Sequence, residues 1–311
     1  MSQRDRLLAV SVAVMWGVNF LAVHATIQHF PPLFAAALRF AVLAIPTILF
    51  VPWPGVKVRW LIGFGLGFGT GHFALLFVAM HIGMPTGLAS LVLQSSAPFT
   101  VLLGAVLLRE RITPIAASGI GLAVLGMSII GWQRAEHAAL LPMILTVLAA
   151  LSWASGNLCN RNAFAEATGP VNPLHFTLWM SVVPPLPMYA LSLAFEGPSA
   201  GWEALAGVGS PEGLVSLGGL VYIVLIGTVA GSGLWSTLMS RNPAGVVAPF
   251  SLMVPVVGMT AAFLVLGERP TAIEVAAAGI VIIGVLLGSM SRPRPARVPT
   301  EAHAECAPVG R

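Results

Sequence analysis

The sequence predicts an all-α membrane protein of ten transmembrane helices in two inverted-topology five-helix repeats. Three observations predict it. Only 8% of the 311 residues are charged and 57% are apolar, with a mean hydropathy of +0.91. A soluble domain carries about 25% charged residues and could not cover its surface with so few. Ten apolar runs are long enough to span a bilayer, and the second half of the chain repeats the first.

The runs are 7–28, 32–53, 60–81, 85–108, 113–131, 140–161, 173–195, 213–236, 243–266 and 271–290. Each fits an α-helix, which satisfies its own backbone in lipid. The shorter alternating segments of a transmembrane β-barrel do not occur. The basic stretch Met1–Arg6 followed by an apolar run resembles a signal peptide. However, the run is of spanning length and lacks an A-x-A-like cleavage site, so it is read as an uncleaved first helix. The expected organisation is a cytoplasmic segment 1–6, a first repeat 7–131, a second repeat 140–290 and a Pro/Arg-rich disordered tail 291–311.

Orientation follows from the basic residues. Ten spans starting in the cytoplasm put both termini inside. Arg4, Arg6, Lys57, Arg59, Arg109, Arg111, Arg161, Arg241, Arg292, Arg294, Arg297 and Arg311 then fall inside, and Arg134 and Arg269 outside. That asymmetry obeys the positive-inside rule and places the protein in an inner (plasma) membrane with cytoplasmic termini. The basic residues are scattered and form no stripe, so the net charge of +4 does not point to nucleic acid. Cys159 and Cys306 suggest neither a disulfide framework nor a metal site.

The repeat is explicit. Residues 85–126 match 243–284 at an offset of 158, through Pro85/Pro243, Gly87/Gly245, Leu108/Leu266, Glu110/Glu268, Arg111/Arg269, Thr113/Thr271, Gly121/Gly279 and Gly126/Gly284. The same offset pairs Gly69-Thr70 with Gly227-Thr228. At shorter offsets Pro32-Leu33 resembles Pro173-Leu174 and Trp16 resembles Trp153. Five helices per repeat is an odd number, so the second repeat enters from the opposite side. Inverted repeats are characteristic of secondary transporters, whose site lies near the midplane between the halves. Some channels share the symmetry, and a passive channel stays open as an alternative. A membrane enzyme would need a nucleophile–base pair, an acid pair or a metal cluster near the midplane, and none is evident.

The doubled Leu-x-Glu-Arg-x-Thr pattern resembles the drug/metabolite transporter superfamily, and within it the EamA family of ten-helix, two-repeat carriers. Trp16–Phe20, Leu38-Arg39-Phe40, Gly83–Gln94, Ser152–Asn157 and Leu252–Gly258 resemble the O-acetylserine/cysteine exporters of that family, over about residues 5–290. The resemblance implies export of a small zwitterionic amino-acid metabolite by alternating access. Export of aromatic amino acids or drug-like amphiphiles by a relative would leave nearly the same features. His72 stands where the resemblance leads one to expect a neutral residue such as Gln. No phosphate-binding loop occurs, so ATP is not the direct fuel, and no cofactor is expected.

Candidate path residues come from polarity at depth. Pro98 and Pro255, in the fourth and ninth runs, each remove a helix hydrogen bond and could act as hinges, freeing a carbonyl for a ligand, or be simply tolerated. Asn19, Gln94, Asn157 and Asn160 are intramembrane amides that line the path or bond helix to helix. Trp16 and Trp153 lie near mid-span and could face an ammonium group or simply pack. Trp235, nearer an end, reads as an interfacial anchor. Arg39 could attract a substrate carboxylate, or could snorkel outward or bond helix-end carbonyls. His72 could couple transport to protons or be merely hydrogen-bonded. No Asp or Glu occupies the middle of a run, which disfavours a carboxylate relay and suits a zwitterion better than a polycation. Glu110-Arg111 and Glu268-Arg269 read as structural anchors of helix ends.

Overall fold

The computed structural model describes residues 1–109, 112–135, 140–242 and 244–289. Glu110, Arg111, Pro243, Cys306 and the tail from 291 lie outside them. Ten spans run in order: α1 Gln3–Thr26, α2 Pro32–Phe50, α3 Val58–His81, α4 Thr86–Leu108, α5 Pro114–Ala135, α6 Leu140–Ala165, α7 Pro173–Phe195, α8 Pro211–Arg241, α9 (244–266) and α10 Ala272–Ser289. Eight are long and apolar enough to cross a membrane, and the shorter apolar stretches Pro114–Ile130 and Ala272–Leu287 complete the ten. Ile45, Leu49, Phe50, Phe195 and Leu264 are exposed on the outside of the bundle, as a lipid-facing surface requires.

The repeat is visible in the packing. The third helix of one half lies against the first helix of the other: α1 against α8, and α6 against α3. α5 and α10 pack on each other through repeat-related glycines. A Cβ at Gly284 would lie 2.6 Å from the Ala123 nitrogen, and one at Gly126 would lie 2.9 Å from the Ala277 oxygen. Without a hydrophobic drive between helices in lipid, such backbone approach is what holds two helices together.

Four spans carry π or 3-10 segments, in two matched pairs. α3 contains a π segment at Gly65–His72 and α8 one at Tyr222–Ala230. The residues correspond at the offset of 158. In each, a threonine hydroxyl bonds the carbonyl five residues back: Thr70 to Gly65 at 3.3 Å and Thr228 to Ile223 at 2.9 Å. α4 and α9 carry 3-10 turns at Leu93–Ser95 and Ala248–Leu252, just before Pro98 and Pro255. Those prolines offer no N–H to the carbonyls of Gln94 and Ser251, which lets the preceding turn tighten.

Two lesser differences from the sequence reading are structural. The run 173–195 is broken: α7 is helical over Pro173–Met180 and Pro185–Phe195, with a non-helical turn between. Pro184, Pro185 and Pro187 explain it, since a proline disfavours helix in the residue before it. The long loop 196–212 holds a short helix, Ala200–Ala206.

Helix ends are closed across the halves. The backbone N–H groups of Leu33 and Phe34, opening α2, donate to Glu196 Oε1 and Oε2 at 2.6 and 3.0 Å. Those of Thr86 and Gly87, opening α4, donate to Glu268 Oε1 and Oε2 at 2.7 and 2.9 Å. Each carboxylate satisfies two orphan donors and meets the positive end of a helix dipole. Glu274 and Thr271 close α10 as a capping box.

At the C-termini of α4 and α9, Arg109 and Gly267 both adopt left-handed φ, 54° and 68°. Their N–H groups donate to the repeat-related carbonyls of Gly104 and Ala262. A Cβ in that conformation costs about 1–2 kcal/mol, which Gly267 avoids and Arg109 does not. Arg109→Gly should therefore raise stability by about 1 kcal/mol, read as thermal unfolding in detergent micelles; an unchanged or lower transition would refute the strain.

Lys57 and Arg59, opening α3, pair with Glu166 beyond α6 at 2.9 and 2.6 Å. Lys57, with Arg59, holds the Glu166 carboxyl down to about 2. A depressed carboxyl stabilises the fold above its ordinary value of 4.5 and loses that effect as pH falls toward 2. The group is exposed, so the effect is small and screened by salt. Glu166→Gln should lower the unfolding temperature slightly at pH 7 and by progressively less between pH 4.5 and 2. A difference that stays constant with pH would show that the ion pairs contribute nothing.

Candidate functional site

Arg39 is the eighth residue of α2, about 10 Å along it from its start, at a rise of about 1.5 Å per residue. It is 5% exposed, so it does not snorkel outward. Its Nη2 donates to Thr228 Oγ1 on α8 at 2.9 Å, while Nε and Nη1 have no partner. The guanidinium carbon sits 4.0 Å from the Phe73 ring centroid and 5.0 Å from that of Phe40. No carboxylate bonds it among the described residues. The ring faces offset part of the cost of burying the charge, each contributing about 0.5–2 kcal/mol, against several for desolvation.

His72 lies beside the same ring. Its centroid is 4.4 Å from Phe73, 4.9 Å from Trp153 and 5.5 Å from Phe68, on which it stacks. It is 3% exposed, and Nδ1 has no partner.

On the far side of Thr228, Trp16 Nε1 donates to the Gly227 carbonyl at 2.9 Å. Asn19 presses on the same glycine, where a Cβ would stand 2.3 Å from Asn19 Oδ1. That oxygen is buried without a partner. Trp16 also packs on Trp235, centroids 5.2 Å apart, and Trp235 is partly buried there.

The structure thus brings Trp153, His72, Phe73, Arg39, Thr228, Gly227, Asn19 and Trp16 into one chain of contacts. It runs from α6 through α3 and α2 to α8 and α1, crossing between the halves three times. Arg39, His72 and Asn19 supply four of the five buried side-chain polar atoms without a partner among the described residues. Such atoms are rare in lipid-embedded bundles and call for an explanation.

The remaining amides are engaged elsewhere. Gln94 Nε2 donates to the Ser251 carbonyl at 3.3 Å, the carbonyl that Pro255 leaves without its usual helix donor. The proline-freed acceptor expected to be open to a ligand is thus met by the opposite half. Asn157 Nδ2 donates to Thr100 Oγ1 at 3.1 Å, joining α6 to α4. Asn160 lies half-buried one turn farther along α6, and no described contact joins it to the cluster. Pro98 and Pro255 are both buried.

Sequence reasoning missed Phe73, Thr228 and the π segments. A signal existed: Gly69-Thr70 and Gly227-Thr228 are a repeated pair placed at the centre of each π segment. Gly227→Val should drive α1 from α8 by forcing Asn19 and Trp16 aside. We expect loss of a folded, monodisperse species in detergent, with an overpacking cost of about 1–3 kcal/mol or more; wild-type thermal stability would show that the approach is loose.

The chain is similar to a probable amino-acid metabolite efflux pump of Escherichia coli (strain K12), 37% identical over 92% of this chain and 95% of that protein. A protein of the same description from Salmonella typhimurium is equally similar, at 37%. An uncharacterized transporter of Archaeoglobus fulgidus is 26% identical over 90% of this chain and 96% of its own length. One crystal structure of a protein superposes with a TM-score of 0.57 over 93% of this chain and 98% of that one; at 19% identity the likeness shows the fold alone. The EamA-like transporter family matches residues 6–132 and 140–290. The chain therefore belongs to the EamA family of membrane transporters and is not an enzyme.

Proposed function

We propose that this protein exports small zwitterionic amino-acid metabolites of the O-acetylserine/cysteine kind across a bacterial inner membrane, with both termini cytoplasmic. One observation carries the reading. Arg39 is a buried guanidinium with two nitrogens unpartnered and, among the described residues, no carboxylate to neutralise it. A lipid-embedded charge is expensive, and a substrate carboxylate would supply both its counter-charge and its missing hydrogen bonds. The opposite end of a zwitterion would find the Asn19 oxygen and the faces of Trp16 and Trp153. His72 would offer Nδ1 to a polar substituent. Gln94, Asn157 and Asn160 would border the path where the halves meet. The repeats 7–131 and 140–290 would rock about this site, with Pro98 and Pro255 as hinges.

The relatives named as probable amino-acid metabolite efflux pumps support the substrate class. The first test is efflux of labelled cysteine and O-acetylserine, with aromatic amino acids alongside, from cells overproducing the protein. Preferential efflux of the first pair is the expected result, and efflux of aromatics alone would overturn the narrower substrate. Arg39→Met should lower export at least about tenfold, the loss of a charged hydrogen bond, while Arg39→Lys retains part of it. Normal export by Arg39→Met would remove Arg39 from the site.

A further inference from the structure

The contact between Arg39 and Thr228 joins the proposed carboxylate site to a defect in a helix. Thr228 Oγ1 does two things at once. It donates to the Ile223 carbonyl, five residues back in the π segment, at 2.9 Å. It also accepts from Arg39 Nη2 at 2.9 Å. A hydroxyl has one proton to give, and here it goes to the helix, so what Thr228 offers the guanidinium is a lone pair.

The geometry of a guanidinium makes this contact sensitive to a ligand. Its two forks are Nε with Nη2 along the side and Nη1 with Nη2 across the end. Nη2 belongs to both. Nε and Nη1 are the unpartnered nitrogens, yet a carboxylate bound bidentately must also engage Nη2, the nitrogen that Thr228 holds. Nη2 carries one N–H in each fork and Thr228 accepts from one of them, so a carboxylate either takes the open fork beside Thr228 or displaces it from the occupied one.

The first half provides the comparison. Thr70 makes the same hydroxyl bond to Gly65 in the matching π segment. The residue matching Arg39 at the Pro32/Pro173 register is Met180, which carries no charge. Both halves have the hydroxyl-bonded π segment, and among the described residues only the Thr228 hydroxyl of α8 accepts a hydrogen bond from a cation. π segments are uncommon and concentrate at functional positions, because one extra residue per turn can be absorbed or passed along the helix.

We propose that Thr228 is a positioning residue that holds Arg39 in the empty carrier and, on release by the substrate carboxylate, passes occupancy of the site to the π segment of α8. The proposal rests on the reading of Arg39 as the carboxylate anchor. It makes Thr228 matter for turnover rather than for affinity. Without the hydroxyl the guanidinium still binds a carboxylate, with one competitor fewer, but binding no longer changes anything in α8.

The test is transport kinetics in proteoliposomes with the same panel of labelled amino acids, comparing Thr228→Val, Thr228→Ser, Thr70→Val and Arg39→Met. Thr228→Val should lower kcat about tenfold with KM unchanged or reduced, the scale of one hydrogen bond to a charged group. Thr228→Ser, which keeps the hydroxyl, should transport within about twofold of the parent, because a few tenths of a kcal/mol separate them. Thr70→Val should have the smaller effect on kcat. Wild-type kcat in Thr228→Val, or a KM raised in step with its loss of activity, would overturn the role of Thr228 while leaving Arg39 as the anchor. Equal losses in Thr70→Val and Thr228→Val would reduce the hydroxyls to helix packing and overturn it too. Unimpaired transport by Arg39→Met would instead defeat the anchor on which it stands. If Thr228→Val does not assemble, Thr228→Ser still decides: a kcat that falls despite the retained hydroxyl contradicts the proposal.

Discussion

A helix crossing lipid has to satisfy every backbone N–H and C=O it carries, and in this protein the irregularities of one half are met by groups from the other. Glu196 and Glu268 close the open ends of α2 and α4. Gln94 answers the Ser251 carbonyl that Pro255 leaves. Trp16 bonds Gly227 inside one π segment, and Ser152 Oγ donates to Gly67 inside the other, at 2.8 Å. Each bond is long-range and links the first half to the second. Neither half is therefore a self-sufficient bundle, and the breaks in the helices are also where the halves are bonded together.

Against that economy Arg39 is the exception. The backbone breaks are compensated, whereas the guanidinium is left with two open nitrogens beside a histidine and an asparagine in similar condition. A fold that repairs its helix ends and proline gaps so consistently leaves its unmet polar atoms largely in one place. The aromatic rings of Phe40 and Phe73 make the charge tolerable without neutralising it.

The ten helices were legible because spanning length and apolarity are one-dimensional properties, and the duplication because its glycines, prolines and Glu-Arg pairs keep their spacing. The π segments were not. A buried run that is apolar all round carries no phase from which a change of helical period can be read. The break in α7 was written in Pro184-Pro185-Leu186-Pro187 but masked by continuous hydropathy. For Arg39 the residue type at that depth raised the question, yet its burial and its bond to Thr228 depend on a partner 189 positions away. Tertiary structure alone could supply that.

The pairing of Arg39 with Met180 breaks the symmetry that the rest of the bundle keeps. Duplication supplied two equivalent walls, and one of them acquired a charge. A molecule with a negative and a positive end meets these walls unequally, so it has a single favourable way to lie between them. If the halves exchange roles as the carrier turns, the walls move but the charge stays on the same one. On the proposed reading of Arg39, a zwitterionic cargo would then cross without tumbling, its acidic end held to the first half throughout, and leave in the orientation in which it entered.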